Sequence, residues 1–368
     1  MIRFIKKEAV LCISALAAFI SMFFVPPDFQ YIGYINYRVL GLLFSLMAVV
    51  AGLRGIKVFD IAAKRLAFGC RNMRSLVLVL TALCFFSSML ITNDVALITF
   101  VPLAISVLVI AGGEKYIIYT VILQTIAANM GSMLTPMGNP QNLYLADFYN
   151  MGAAEFFGTT VPVCAVSGIL IVLMSFYVKR QPIAVTEDKT DGDKVNKRLL
   201  LMYLVLGVLA VLSVFNIVDY RVLTAVTLVS AALCDRVVLK RVDYFLLLTF
   251  AAFFVFVGNA ARIEPVREFM SSLTQGRELV VGALASQIIS NVPAAAMLSS
   301  FTDNGRALLV GVDVGGLGTP VASLASLISY RIYSGYENSN KDRYMCVFLA
   351  VNFVMLAVML AVCMMMGY

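Results

Sequence analysis

Along most of the chain, apolar residues run in long blocks, and polar residues gather in a few short segments. A helix needs about 20 apolar residues to cross the ~30 Å hydrocarbon core of a bilayer. Blocks of that kind predict membrane helices near 8–25, 34–53, 157–178, 199–217, 220–239, 243–259 and 344–366. Further apolar stretches at 75–111, 116–150, 279–304 and 307–330 are interrupted by polar residues or by glycine and proline. The first of these holds "SSMLITNDVALITFVP" (87–102), with Thr92, Asn93 and Asp94 in its middle. An acid at membrane depth is costly and marks a functional site by default.

Composition places the whole chain in lipid. Of its 368 residues 61% are hydrophobic and 13% charged, and the mean hydropathy is +0.92. Soluble domains are roughly 25% charged, and the apolar blocks leave no room for one. The first block follows a basic start (Arg3, Lys6, Lys7) and reads as a membrane helix. A signal peptide would be shorter and would end in a small-residue cleavage site.

The net charge of +7 is carried by a few loops, which positive-inside bias explains better than nucleic-acid binding. Seven cysteines (12, 70, 84, 164, 234, 346, 363) are scattered without CxxC spacing, so neither a disulfide framework nor a zinc site is indicated. There is no histidine, which removes the commonest metal ligand and a common proton relay. No nucleophile–base–acid set can be assembled, which argues against an enzyme. No cofactor is implied beyond a coupling ion.

Charge also sets the expected topology. The loop 54–74 carries six Lys/Arg and should be cytoplasmic, as should the N-terminus and the polar linker 178–198. The stretch 75–111 must then begin and end inside, because "GGEK" at 112–115 precedes an outward span. A re-entrant hairpin with its tip at Thr92, Asn93 and Asp94 meets this count, and so do two full crossings joined by a tight turn. The second half behaves alike in the opposite sense, with a hairpin at 279–304 tipped by "SNVP" (290–293). Residues 262–278, and with them Glu264, Asp303, Arg306 and Arg331, fall in expected solvated loops.

An internal repeat favours the hairpin. "SMLITNDVA" (88–96) aligns with "SQIISNVPA" (286–294), setting Thr92 against Ser290 and Asn93 against Asn291. "NMGSMLTPMGNPQNL" (129–143) aligns with "DVGGLGTPVASLASL" (313–327). There Gly131, Thr135 and Pro136 meet Gly315, Thr319 and Pro320, Asn129 meets Asp313, and Asn139 and Asn142 meet Ser323 and Ser326. Both matches occur in the same order in halves of opposite orientation, the pattern of an inverted-repeat secondary transporter.

The expected architecture is an all-α integral membrane protein of two inverted repeats. The first spans 1–178, with hairpin 75–111 and broken helix 116–150. A cytoplasmic loop covers 179–198. The second repeat spans 199–368, with hairpin 279–304 and broken helix 307–330. Pro136, Gly138 and Pro140 break one span, and Gly315, Gly316, Gly318 and Pro320 the other. Irregular backbone at that depth survives only where protein buries it or a cavity receives it. Freed carbonyls suit a cation, and helix N-termini suit an anion. Candidate ligand residues are therefore Thr92, Asn93, Asp94, Asn129, Thr135, Gly138, Asn139 and Asn142 with Ser290, Asn291, Asp313, Gly315, Gly318, Thr319 and Ser323. No basic residue within these motifs pairs with Asp94 or Asp313, so the acids are natural carriers of H⁺ or Na⁺ coupling. A bound Na⁺ is expected at Asn93, Asp94, Asn291 and Asp313.

"LITNDVALITFVPLAI", "GSMLTPMGNPQNLYL" and "SQIISNVPAAAML" resemble the ion transporter superfamily across essentially the whole chain. The nearest style is the citrate-transporter-like permeases, which include the arsenite-pump membrane subunit, sodium/proton antiporters and relatives of the dicarboxylate symporters. The resemblance implies half-sites at Thr92, Asn93, Asn139 and Asn142 and at Ser290, Asn291, Thr319 and Ser323, with one domain moving against a scaffold as in an elevator. The Thr-Asn-Asp and Ser-Asn-Val-Pro tips depart from the family's Ser-Asn-Thr, so a dicarboxylate is less well matched than an oxyanion. The expected function is H⁺- or Na⁺-coupled transport of a small anion or oxyanion across the cytoplasmic membrane, N-terminus inside. A cation/proton antiporter is the alternative. The expected partners are the bilayer and a small-molecule anion, with no nucleic acid. The resemblance also implies a homodimer and leaves a soluble ATPase subunit open.

Overall fold

The computed structural model describes residues 8–59, 61, 66, 67, 69–183 and 196–368. Among them nearly everything is helix, and the only strand-like pairing is an isolated bridge between Asn72 and Pro182. The first half contains α1 (Ala9–Ser21), α2 (Tyr37–Gly55), α3 (Met73–Ile91), α4 (Asn93–Ile110), α5 (Ile117–Ser132), α6 (Pro140–Phe148) and α7 (Ala153–Ser175). The second begins with α8 (Lys197–Val214), α9 (Tyr220–Cys234), α10 (Tyr244–Arg262) and α11 (Glu264–Thr274). It continues with α12 (Glu278–Ile289), α13 (Asn291–Leu298), α14 (Gly305–Val314), α15 (Leu324–Ser334) and α16 (Lys341–Met365). Seven helices among the described residues, α2, α3, α4, α7, α8, α10 and α16, are long and apolar enough to cross a membrane. Arg3, Lys6, Lys7 and most of the 179–198 loop lie outside the described residues.

Where helices begin is written locally. Asn36, Asn72, Asn196, Asp219, Asp243, Asn304 and Asn340 each precede a helix and accept a backbone N–H of its first turn. Such caps satisfy donors that the helix cannot, each contributing about 0.5–2 kcal/mol. The expected loop at 262–278 is instead largely the helix α11. Glu264, Arg267 and Glu268 make this segment look solvated, but Val266, Phe269, Met270 and Leu273 recur at helical spacing and fold it. Arg306 and Arg331, also expected in loops, lie on α14 and α15, and Arg306 Nε donates to Thr159 Oγ1 at 3.1 Å.

The helical hairpins are both present and unequal. α3 and α4 have 19 and 18 residues, whereas α12 and α13 have 12 and 8. At 1.5 Å per residue the first pair is ~28 Å long and the second ~12–18 Å. The sequence carries the difference: after Leu298 the chain turns polar at Ser299, Ser300 and Thr302 to Asn304, and passes through a 3₁₀ segment at Ser299–Phe301 that ends the second hairpin early.

One large apolar core unites α3, α4, α5 and α7 with parts of α14, α15 and α16. Another joins α2, α8 and α10 to α6, α13 and the outer face of α14. A third, smaller, fastens α2 to α8 and to Val238 and Val242. There the missing side chain of Gly52 admits Tyr203, whose ring would lie 2.0 Å from a Cβ at that position. Polar contacts stitch the halves together: the hydroxyls of Thr125 and Ser329 meet at 2.7 Å, and those of Tyr144 and Ser299 at 2.8 Å. Arg38 of α2 forms an ion pair with Asp147 of α6.

Candidate functional site

At each hairpin tip one non-glycine residue takes a backbone conformation that glycine normally supplies. Thr92 has φ 62° and ψ 149°, and Ser290 has φ 73° and ψ 155°. That region costs a residue with a side chain about 1–3 kcal/mol and persists only where its surroundings enforce it. The enforcing contacts are the same in both halves. Asn93 N–H donates to the Gly138 carbonyl at 3.3 Å, and Asn291 N–H to the Ala322 carbonyl at 3.0 Å. The Thr135 hydroxyl donates to the Met89 carbonyl at 2.5 Å, and the Thr319 hydroxyl to the Gln287 carbonyl at 3.0 Å. These pairs correspond residue for residue in the sequence repeat. Each tip is therefore docked into the broken helix of its own half.

The breaks match as well. Asn139 opens α6 at φ −143°, ψ 144°, and Ser323 opens α15 at φ −141°, ψ 137°. The carbonyls released there are less open than the expectation of a carbonyl-lined cation site supposes. Asn142 Nδ2 reaches the carbonyls of Ser132, Met133 and Thr135 at 3.2–3.3 Å. In the second half Gln287 Nε2 takes the carbonyls of Gly315 and Leu317 at 2.8 and 2.9 Å, and its Oε1 accepts Thr319 N–H at 2.8 Å. Gly318 sits at φ +99°, and a Cβ on Gly138 would lie 2.1 Å from the Ser132 oxygen. A Cβ on Gly315 would press 2.7 Å from Ala283 Cα, so this glycine serves close packing.

Asn129 joins the two halves. Its Oδ1 accepts from Asn93 Nδ2 at 3.1 Å and from Ser323 Oγ at 3.0 Å, while its Nδ2 donates to the Gly316 carbonyl at 3.2 Å. Asn291 approaches the same place, with Nδ2 3.1 Å from where a Gly316 side chain would begin. The two acids are separated. Asp313 is buried, accepting Gln141 Nε2 on Oδ1 at 3.0 Å, whereas Asp94 lines a cavity. Asp94 Oδ1, Asn139 Oδ1, Asn142 Oδ1 and Asp313 Oδ2 are buried with no hydrogen-bond donor. Buried acceptors without donors are uncommon, and a hard cation or a carboxyl proton satisfies such oxygens. No cluster of three or more His, Cys, Asp or Glu exists among the described residues. A cation here would draw on amide, hydroxyl and carbonyl oxygens with one acid at a time.

Ser132, Gln141 and Gln287 belong to this network and were not among the expected ligands. Gln287 had a sequence signal, as the polar residue facing Met89 in an otherwise apolar alignment. Ser132 and Gln141 lie inside the motifs themselves and differ from their neighbours by nothing visible in the pattern.

A cavity of about 730 Å³ runs from the protein surface to the first tip. Thr92, Asp94, Pro136 and Asn139 line its inner part, α2 and the start of α10 form a wall, and Leu324 and Ile328 of α15 close it. Its size falls within the range of small-molecule sites, about 300–1,000 Å³.

Paired hairpins seated in paired broken helices, over a cavity that reaches one tip, form the frame of a membrane transporter. The family model described as "Citrate transporter" matches residues 1–305, and the chain belongs to that family. It is 33% identical over 306 residues to an uncharacterized transporter of Methanocaldococcus jannaschii, covering 82% of each chain. It is 27% identical over 304 residues to the inner membrane protein YbiR of Escherichia coli, covering 81% of this chain and 80% of the other. In fold it is similar to the crystal structure of the Alcanivorax borkumensis YdaH transporter, described as having an unusual topology. That likeness has a TM-score of 0.59 at 16% identity, over 92% of this chain and 88% of the other.

Proposed function

We propose that this transporter is a secondary permease for a small anion or oxyanion, coupled to H⁺ or Na⁺. One observation carries the reading: a strained, polar hairpin tip occurs twice, each time bonded into a broken helix, and the first opens onto the cavity beside Asp94. Strain held in duplicate at membrane depth is stored for a ligand rather than for packing. The family description supports a carboxylate-like or oxyanionic cargo. Asp94 and Asp313 supply the negative charge that a coupling cation or proton neutralises, so that an anion can sit near the tip.

In this reading the halves are inverted repeats, the hairpins re-entrant, and the N-terminus cytoplasmic in the inner membrane. The body built on α3, α4, α5 and α7 with α14 to α16 moves against α1, α2 and α8 to α10 in an elevator-like step. The apolar core shared by α3, α4, α5 and α7 with α14 to α16 supports the moving body, and the core that joins α2, α8 and α10 to α6, α13 and α14 is the contact along which it would slide. A cation/proton antiporter is a second reading, favoured by the unpartnered oxygens of both acids.

The test is uptake into proteoliposomes of citrate, succinate, arsenite, sulfate and Na⁺ under imposed pH and Na⁺ gradients, with Asp94→Asn beside the wild type. The anion reading expects one anion to accumulate with a gradient, and Asp94→Asn to lose at least tenfold of that coupled rate, about 1.4 kcal/mol. Counterflow of Na⁺ and H⁺ without any anion establishes the antiporter instead. A variant with unchanged pH and Na⁺ dependence removes Asp94 from coupling.

A further inference from the structure

The mouth of the cavity is chemically unlike its floor. Among the described residues Arg54, Lys57 and Arg241 line it together with one acid, Asp243, while Thr92 and Asp94 lie deeper. Positive-inside bias accounts for basic residues on one face of a membrane protein, but not for how these are held. Gly55 ends α2 beside Arg241: a Cβ there would lie 2.5 Å from Arg241 Nη1. The guanidinium thus lies against the last turn of α2, and its room exists because residue 55 has no side chain. Lys57 follows at φ 54°, a left-handed position that normally falls to glycine after a helix. A lysine kept in that conformation holds a charge at the mouth where the backbone would be more comfortable without a side chain.

We propose that Arg54, Lys57 and Arg241 form an anion-concentrating mouth, which selects ligands for negative charge before they reach the first hairpin tip. The inference rests on the anion-permease reading for the identity of the ligand. The cations come from the end of α2 and the approach to α10, so the selection is made by the scaffold and not by the hairpin that holds the tip. Field focusing in a cleft with low-dielectric walls raises the local concentration of an oppositely charged solute by about 10-fold or more at low salt. The effect fades as salt shortens the screening length, from about 10 Å at 0.1 M to about 3 Å at 1 M.

The experiment needs no transport substrate. Met47 lines the cavity on α2 two helical turns below Arg54, and no native cysteine lines the cavity. Met47→Cys is reconstituted and treated with membrane-impermeant thiosulfonate reagents, one anionic (sulfonatoethyl) and one cationic (trimethylammonioethyl), with the unmodified chain as background. The ratio of their rates cancels the reactivity of the thiol itself and is compared with the ratio for a small thiol in solution. The proposal expects the anionic reagent to be favoured by about 10-fold over that reference, and the preference to vanish at 1 M salt. Adding Arg54→Gln and Arg241→Gln should reduce it at least threefold, while Arg54→Lys with Arg241→Lys should keep it.

A ratio equal to the solution value, or one that the glutamine pair leaves unchanged, overturns the proposal. Failure of either reagent to react from either side of the membrane also overturns it, because the cavity would then be closed. If the preference is found while no anion is taken up in the proteoliposome assay, the mouth stands and the anion-permease reading falls.

Discussion

At the scale of single residues, Thr92 and Ser290 define the site by what their backbones do. Their side chains hold little: the Thr92 hydroxyl caps nothing, and Ser290 Oγ lies 3.4 Å from the Ala322 carbonyl. Glycine at either tip should release the strain but gain freedom in the unfolded chain, and these effects oppose one another. We expect Ser290→Gly to stabilise the protein by about 1 kcal/mol, read as a raised thermal midpoint in detergent, while transport falls. Ser290→Ala keeps the strain and removes the hydroxyl. If both substitutions leave transport intact, the tip is a structural turn. Asn129 plays another part, because its single amide is bonded to Asn93 in one half and to Gly316 and Ser323 in the other. A change in the relative position of the halves cannot leave all three bonds in place.

At the scale of elements, the hairpins and breaks form a lock with matched but not identical parts. Gly138 and Ala322 occupy the same place, each lending its carbonyl to an Asn N–H. The first half has no space for the methyl group that the second carries, since a Cβ on Gly138 would meet the Ser132 oxygen at 2.1 Å. Gly138→Ala should therefore destabilise by about 3 kcal/mol, the upper part of the range for overpacking, and Ala322→Gly by about 1 kcal/mol or less. Equal thermal midpoints for the two variants would show that the first break relaxes freely. Tip, break and repeat were legible in the sequence because polar residues and prolines stand out against lipid-like surroundings. α11 was not, since its charges mask a short apolar face, whereas the shorter second hairpin follows from the polar run after Leu298. The capping of freed carbonyls by Asn142 and Gln287 was also hidden, because an amide that serves backbone and one that serves a ligand look alike in one dimension.

At the scale of the whole molecule, the transport reading proposed above divides the chain between a body that carries the tips and a framework that carries the mouth. α6 straddles both: Asn139 at its start belongs to the tip network, and Asp147 near its end pairs with Arg38 of α2, with Asn36 Nδ2 at 2.6 Å from the same carboxylate. On that reading, relative motion of the two bodies would either break that pair or carry α2 along.

The repeat has a last consequence. Thr92 and Ser290 share one backbone conformation at the two tips, but the residue after the shared asparagine is Asp94 in one half and Val292 in the other. An even frame thus carries its acids at uneven places, Asp94 beside the tip of the first half and Asp313 on the broken helix of the second. On the transport reading proposed above, direction depends on where each half keeps its carboxylate rather than on the fold alone. Moving it, with Asp94→Val together with Val292→Asp, should reverse which compartment's pH controls the transport rate in sided proteoliposomes. An unchanged sidedness would place the polarity of the machine elsewhere than at its tips.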